Sequence, residues 1–167
     1  MYDDLTFRMT TEDDVDGILS LLNAKFGERR HYGALHNLDG RYYVAVNITG
    51  EIVAMTGLNF KGSGYNGPEI DWTCVDDRYT NRGLMSKMIS DIISDFNGNI
   101  YCSCWRNTYG EINLHHAMKV NGFVPIQVPR VVYRTDCNNC KDICVRYDTK
   151  DGSYCSCCED LYIRPAK

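Results

Sequence analysis

Three groups of residues in this chain could do chemistry. The first is a pair of carboxylates, Glu69 and Asp71, in the β-prone run from Glu69 to Val75. Strand alternation puts Glu69, Asp71, Thr73 and Val75 on one face, and Ile70, Trp72 and Cys74 on the other. Two carboxylates on one strand face imply that the face meets water or lines a pocket. The second group is Asn81-Arg82-Gly83, where that strand turns into a strongly amphipathic stretch. A helix start has unpaired amides and a partial positive charge, and a glycine lets a ligand come close, which suits a phosphate. An ordinary strand-to-helix turn would look the same, because one glycine is a weak signal. The third group is six cysteines between positions 137 and 158. Cys137-x-x-Cys140 has the spacing of a metal knuckle. Asp151-Gly152 is a hairpin turn that would carry Cys155, Cys157 or Cys158 back toward it. Four thiolates around one Zn²⁺ are the simplest product, from Cys137, Cys140, Cys155 and Cys157, with Cys144 and Cys158 as substitutes. Such a site would be structural, stapling a short extension. Free thiols, a redox pair or, in a secreted chain, disulfides are the alternatives.

The elements that must position these groups follow from periodicity. Leu5, Phe7 and Met9 alternate as in a half-buried strand. Thr10 or Thr11 can cap a helix, and Val15, Ile18, Leu19, Leu22 and Phe26 recur at helical spacing before Gly27. Residues 28–40 lack periodicity and read as a short helix plus a loop; His31, Tyr32 and His36 there are either substrate contacts or solvated. Arg41 to Asn47 and Glu51 to Phe60 are β-rich and joined by Ile48-Thr49-Gly50, which predicts a hairpin. The Gly-rich stretch 61–68 is a loop, and Glu69 to Val75 is the fourth strand. After Gly83, Leu84, Met85, Met88, Ile89, Ile92, Ile93 and Phe96 form a wide apolar stripe. Ile100 to Trp105 is a fifth strand, Glu111 to Asn121 a short helix, and Phe123 to Ile126 and Val131 to Thr135 two more strands. Cys74, Cys102 and Cys104 lie in strands and read as small buried hydrophobes.

This order resembles that of the GNAT N-acetyltransferases. Val75 followed by Tyr79-Thr-Asn-Arg-Gly-Leu-Met-Ser-Lys-Met-Ile89 resembles the family's acetyl-CoA loop and helix. Ile100 to Trp105 resembles its fifth strand, and Asn113 to Phe123, ending in Asn-Gly-Phe, its last helix. The resemblance covers about residues 3 to 135. It implies an α/β fold: a single domain over residues 1–135 with a mixed, mostly antiparallel sheet flanked by helices. Residues 136–167 then form a Cys-rich hairpin extension that the family pattern lacks.

The resemblance also implies a site. Acetyl-CoA would lie between the fourth and fifth strands, its pantetheine arm along Val75 and near Asn113. The amides of Arg82, Gly83, Leu84, Met85, Ser86 and Lys87 would hold the pyrophosphate. An amine attacking the thioester needs a base, for which Glu69 is the first choice and Asp71 the second. For the acid that protonates the leaving thiolate, His115 and His116 lie in the last helix and Tyr109 just before it; His116 completes the candidate catalytic set. The chain departs from the family pattern at Thr80, at Met85 and at Met118. Met85 replaces a small residue and is expected to narrow the approach to the pyrophosphate. Met118 stands where many members carry a tyrosine acid.

Bulk properties narrow the classes. The chain has 167 residues, room for one α/β domain, and its 44% hydrophobic and 24% charged residues are those of a globular protein. A net charge of −4, with acidic residues through the tail, argues against a nucleic-acid or membrane-surface partner. The acidic Met-Tyr-Asp-Asp start has no apolar signal core, which places the protein in the cytoplasm. The expected function is acetyl transfer from acetyl-CoA to an amine, on a small molecule or a protein. The competing class is an acetyltransferase-like binding module without turnover, using the Cys-rich tail. A monomer and a dimer are both compatible with the sequence.

Overall fold

The computed structural model describes residues 2–26, 41–60, 65–105, 112–126, 130–131 and 158–166. Its elements in chain order are β1 (Leu5–Met9), α1 (Val15–Phe26), β2 (Arg41–Asn47), β3 (Ile52–Asn59), β4 (Glu69–Val75) and α2 (Leu84–Ile92). They continue with β5 (Ile100–Trp105), α3 (His115–Val120), β6 (Val124–Pro125), β7 (Arg130–Val131) and β8 (Cys158–Arg164). One mixed sheet runs β1-β2-β3-β4-β5-β8-β6, with β7 also paired to β8. All its pairings are antiparallel except β4 with β5.

Apolar periodicity decides which helix covers which face. On α2, Leu84, Met85, Met88, Ile89 and Ile92 are buried. They pack in one cluster with Ala45, Val53, Ala54, Ile70, Ile100 and Cys102 of the sheet and with Ala117 and Met118 of α3. On α1, Ile18, Leu21 and Leu22 pack with Tyr42, Val44, Ile52, Met55 and Cys74 in a second cluster. The sheet is thus enclosed between α2 and α3 on one side and α1 on the other. The three cysteines expected in strands, Cys74, Cys102 and Cys104, are buried and unpaired.

Strands β2, β4 and β5 have the bounds the sequence predicts, and the hairpin turn at 48–50 is present, tied by Asn47, whose Oδ1 accepts from the Thr49 and Glu51 amides at 3.0 and 2.9 Å. Two expectations need correction. The strict alternation on β4 fails, because the register against β3 shifts between Met55 and Gly57. Trp72 there has φ 46°, so β4 carries a bulge. Beyond it the faces exchange: Cys74 joins the α1 cluster, while Val75 packs against the α2 cluster. The second correction concerns the tail. Cys158–Arg164 lies inside the range 136–167 set apart as an extension, yet it pairs along the whole of β5, from Ile100↔Arg164 to Trp105↔Glu159. The last helix is also shorter than expected, His115–Val120. Residues 28–40 and 132–157 lie outside the described residues.

Before α1, Asp14 anchors the entry. Its carboxylate accepts from both Arg8 guanidinium nitrogens at 2.6 and 2.7 Å and from the Thr11 amide at 2.7 Å. The Arg8 hydrogen bond, against the effect of burial, lowers the Asp14 carboxyl to about 2. Its stabilising contribution is therefore full above the unfolded value near ~3.9 and disappears as pH falls through about 2. Asp14→Asn is expected to lose about 1–3 kcal/mol at pH 7, read as a lower urea midpoint. The deficit should shrink on acidification below pH 4. The position of β8 generates a second expectation. A chain ending at residue 135 would leave the β5 edge unpaired and uncover the apolar cluster. It should lose the cooperative unfolding transition of the full chain in circular dichroism, whereas a dispensable extension would leave that transition in place.

Candidate active site

The bulge at Trp72 creates the central feature. β4 and β5 pair only at Glu69↔Tyr101 and Ile70↔Cys102, with one further bond from the Tyr101 amide to the Pro68 carbonyl at 2.9 Å. Past Ile70 the pairing stops, and the rest of β4 runs on without β5 as its partner. The opening lies at the carboxyl ends of two parallel strands, where ligands bind in α/β sheets.

On the α1 side of the opening, polar groups gather. Asp71, Gly57 and Tyr42 stand in register across β4, β3 and β2. Gly57 is the keystone of this row: a Cβ there would lie 2.5 Å from Asp71 Oδ1 and 2.5 Å from the Tyr42 ring. Asn59 Nδ2 donates to Asp71 Oδ2 at 3.1 Å, whereas the buried Oδ1 has no hydrogen-bond partner among the described residues. Burial pushes the Asp71 carboxyl up to about 7; the Asn59 hydrogen bond opposes this, the nearby Glu69 charge adds to it, and the Tyr42 hydroxyl opposes it. Burial, and then the Asp71 charge, raise the Tyr42 hydroxyl in turn. Glu69 is half-buried, and its Oε1 accepts from the Ser103 amide of β5 at 3.2 Å. Tyr65 stacks on Tyr101 with ring centroids 4.9 Å apart, and its hydroxyl lies 3.2 Å from Ser103 Oγ.

On the other side, α2 begins beside the end of β4. Gly83 has φ 72°, a conformation that favours glycine. The first helical bond runs from the Lys87 amide to the Gly83 carbonyl at 3.2 Å. By helix geometry the amides of Leu84, Met85 and Ser86 lie ahead of that bond. The N-cap residue, Gly83, has no side chain to cap them, and the first turn has no acidic residue. Such a helix start can accept an anion. Met85 is buried in the core cluster, so it does not cover the turn as its size had led us to expect. Arg82 is held at the surface over the Tyr79 ring, 5.1 Å from its centroid, and its carbonyl accepts from the Tyr2 hydroxyl at 2.8 Å. Lys87 pairs with Asp91 at 2.6 Å.

The structure thus brings Glu69 and Asp71 together at the opening, with Val75 at the end of β4 and residues 82–87 at the helix start. His116 is exposed on α3, on the sheet face opposite Asp71. Its neighbour His115 is the engaged histidine, with Nδ1 2.8 Å from the Tyr162 hydroxyl. Asn113 is exposed in the turn before α3. Cys137, Cys140, Cys155 and Cys157 lie outside the described residues, as does Tyr109; among the described residues no cluster of three metal-ligating side chains occurs. Tyr42, Gly57, Asn59, Ser103 and Tyr162 were missed in the sequence. Only Gly57 carried a signal, since an isolated glycine inside a strand marks a close approach.

The sequence pattern of the Acetyltransferase (GNAT) family matches residues 9–123, and the chain belongs to this family. Among solved structures, the GNAT-family acetyltransferase from Streptococcus pneumoniae superposes with a TM-score of 0.67 at 13% identity, over 98% of this chain and 100% of that one. One from Bacillus cereus gives 0.65 at 14% identity, over 98% of each chain. A GNAT-family N-acetyltransferase from Escherichia coli, in complex with CoA, gives 0.50 at 17% identity, over 59% of this chain and 62% of that one. At these identities the likeness is one of fold. No curated protein matches the chain in sequence. No helix among the described residues is long and apolar enough to cross a membrane.

The Asp71 niche makes a prediction of its own. A carboxyl with a folded value of about 7 destabilises the fold increasingly as pH rises from its unfolded value, ~3.9, through about 7. Asp71→Asn should therefore be more stable than the wild type at pH 8, by roughly 1–3 kcal/mol, with the difference vanishing near pH 4. Urea unfolding at the two pH values measures it. Equal stability of the two proteins at pH 8 would mean that Asp71 ionises without cost.

Proposed function

We propose that the protein is an N-acetyltransferase that moves an acetyl group from acetyl-CoA to an amine by direct attack. The observation that carries the reading is the Asp71 carboxyl at the β4–β5 opening, with its Oδ1 buried and its titration pushed up to about 7. The uncapped first turn of α2 beside the same opening fits the diphosphate of CoA. Acetyl-CoA supplies an activated acyl group with a thiolate as leaving group.

The chain's own residues then divide the work. The amides of Leu84, Met85 and Ser86 bind the diphosphate, with Arg82 and Lys87 adding positive charge nearby. The edge of β4 beyond Ile70, where the ladder to β5 has ended, runs to Val75 and lies along the path of the pantetheine arm. Asp71 takes the proton from the attacking amine, and a carboxylate titrating close to 7 can both accept that proton at physiological pH and release it afterwards. Glu69, fixed by the Ser103 amide, holds a negative charge next to Asp71 and favours a cationic amine at the entrance. This reverses the order of the two carboxylates expected from the sequence.

Calorimetric titration with acetyl-CoA, followed by CoA release across a panel of amines, tests the reading. Saturable binding and transfer are expected. The rate should rise with pH through about 7. Asp71→Asn should lower kcat on the order of 10²- to 10⁴-fold, with little change in acetyl-CoA affinity, and abolish that rise. Binding without transfer to any amine would favour the alternative, a GNAT-like binding module. Absence of acetyl-CoA binding would overturn the enzyme reading.

A further inference from the structure

The proposed reaction needs a proton for the departing thiolate, and Met118, at the position where the family pattern has a tyrosine, is fully buried and cannot supply one. Resting on the reading above, we propose that His115 is the acid that protonates the leaving thiolate, and that Tyr162 is the residue that positions it.

The placement carries this assignment. Tyr162 is on β8, opposite Cys102 of β5, which in turn pairs with Ile70 of β4. That row is the last one before β4 and β5 part, so Tyr162 stands level with the apex of the opening. Its ring lies in the cluster that holds Met118, α2 and Cys102, on the side of the sheet where the α2 amides begin. Asp71 faces the opposite side. A donor to sulfur and an acceptor from the amine therefore flank the opening from its two faces, which suits addition of the amine to the thioester carbonyl and departure of sulfur from the tetrahedral intermediate.

The local geometry suits an acid. His115 is the first residue of α3 and is exposed. Its Nδ1 lies 2.8 Å from the Tyr162 hydroxyl, which is buried with its ring at 2% exposure. In the imidazolium both ring nitrogens donate. Nδ1–H is then held by the Tyr162 oxygen, and Nε2–H is left on the exposed edge. His115 and Met118 lie three residues apart on α3, neighbours one turn apart on the helix surface. In the reaction, the amine nitrogen bonds to the acyl carbon as its proton passes to Asp71, and the carbon–sulfur bond breaks. The sulfur takes the proton from Nε2 of His115, which is reloaded from solvent.

The test uses the full-length protein and CoA itself. With Nδ1 accepting from the Tyr162 hydroxyl, the neutral ring keeps an Nε2–H donor; at the sulfur this donor stabilises the thiolate, so the thiol of bound CoA should ionise at lower pH in the wild type than in His115→Asn, by roughly one pH unit. The ultraviolet absorbance of the thiolate follows this without any acceptor. Tyr162→Phe keeps the buried ring and removes only the hydroxyl; it should shift the titration in the same direction by less. With acetyl-CoA and the amine that turns over best, His115→Asn should lower kcat on the order of 10²-fold at unchanged KM for acetyl-CoA. If bound CoA titrates identically in wild type and His115→Asn, the assignment is overturned while the CoA site stands. If the wild type does not bind CoA, both fall together.

Discussion

The backbone conformation of Trp72 is the constraint on which the site depends. A tryptophan at φ 46° is costly, of order 1–3 kcal/mol, and persists only where its surroundings hold it. Here β3 holds it: pairing continues on both sides of the shift between Met55 and Gly57, and Thr56 and Thr73 join across it through their hydroxyls at 2.9 Å. The extra residue twists β4 away from β5, so β4 stays bonded to one neighbour and leaves the other. An unpaired backbone edge inside a sheet calls for a partner. In the proposed function, that partner is the amide-bearing arm of the acyl donor.

The same bulge decides what the opening contains. Because faces exchange at Trp72, the two carboxylates on the N-terminal half of β4 share a side with Tyr42, and Val75 turns to the α2 cluster. Asp71 then sits where Gly57 leaves a niche with no room for a methyl group. Burial raises its proton affinity by more than Asn59 and Tyr42 lower it. Glu69, one step nearer the strand start, is half-buried and bonded to the Ser103 amide. Two carboxylates that look equivalent in sequence are thus held differently, Glu69 by an amide of β5 and Asp71 in a niche where burial raises its carboxyl to about 7.

Much of the fold was legible because it rests on local signals. The β-rich run of β2, the strand run of β5, the stripe from Leu84 to Ile92 and the Gly83 turn each express one element's own composition or periodicity. What was not legible depends on pairing between distant elements. The bulge has no local mark, since tryptophan does not favour a positive φ and only the fit to β3 and β5 imposes it. Cys158–Arg164 was read as part of an extension because it follows the cysteine run, and Glu159, Asp160 and Arg164 mask its strand pattern. Asp160 and Arg164 are nevertheless buried, and Arg164 donates to the Phe96 carbonyl at 3.1 Å. For the same reason the sequence put His116 rather than His115 in the catalytic set: the two differ in which one faces Tyr162, 47 residues from His115.

The insertion of β8 links the end of the chain to the opening near its middle. Tyr162 and the β4–β5 apex occupy one row of the sheet, so the strand that fills the gap between β5 and β6 also sets the position of His115. Val131 pairs with Cys158 at the start of β8. The rigid element here is the β5–β8 ladder, six paired positions long. It is what keeps the proposed proton donor on one face of the sheet in register with the carboxylates on the other.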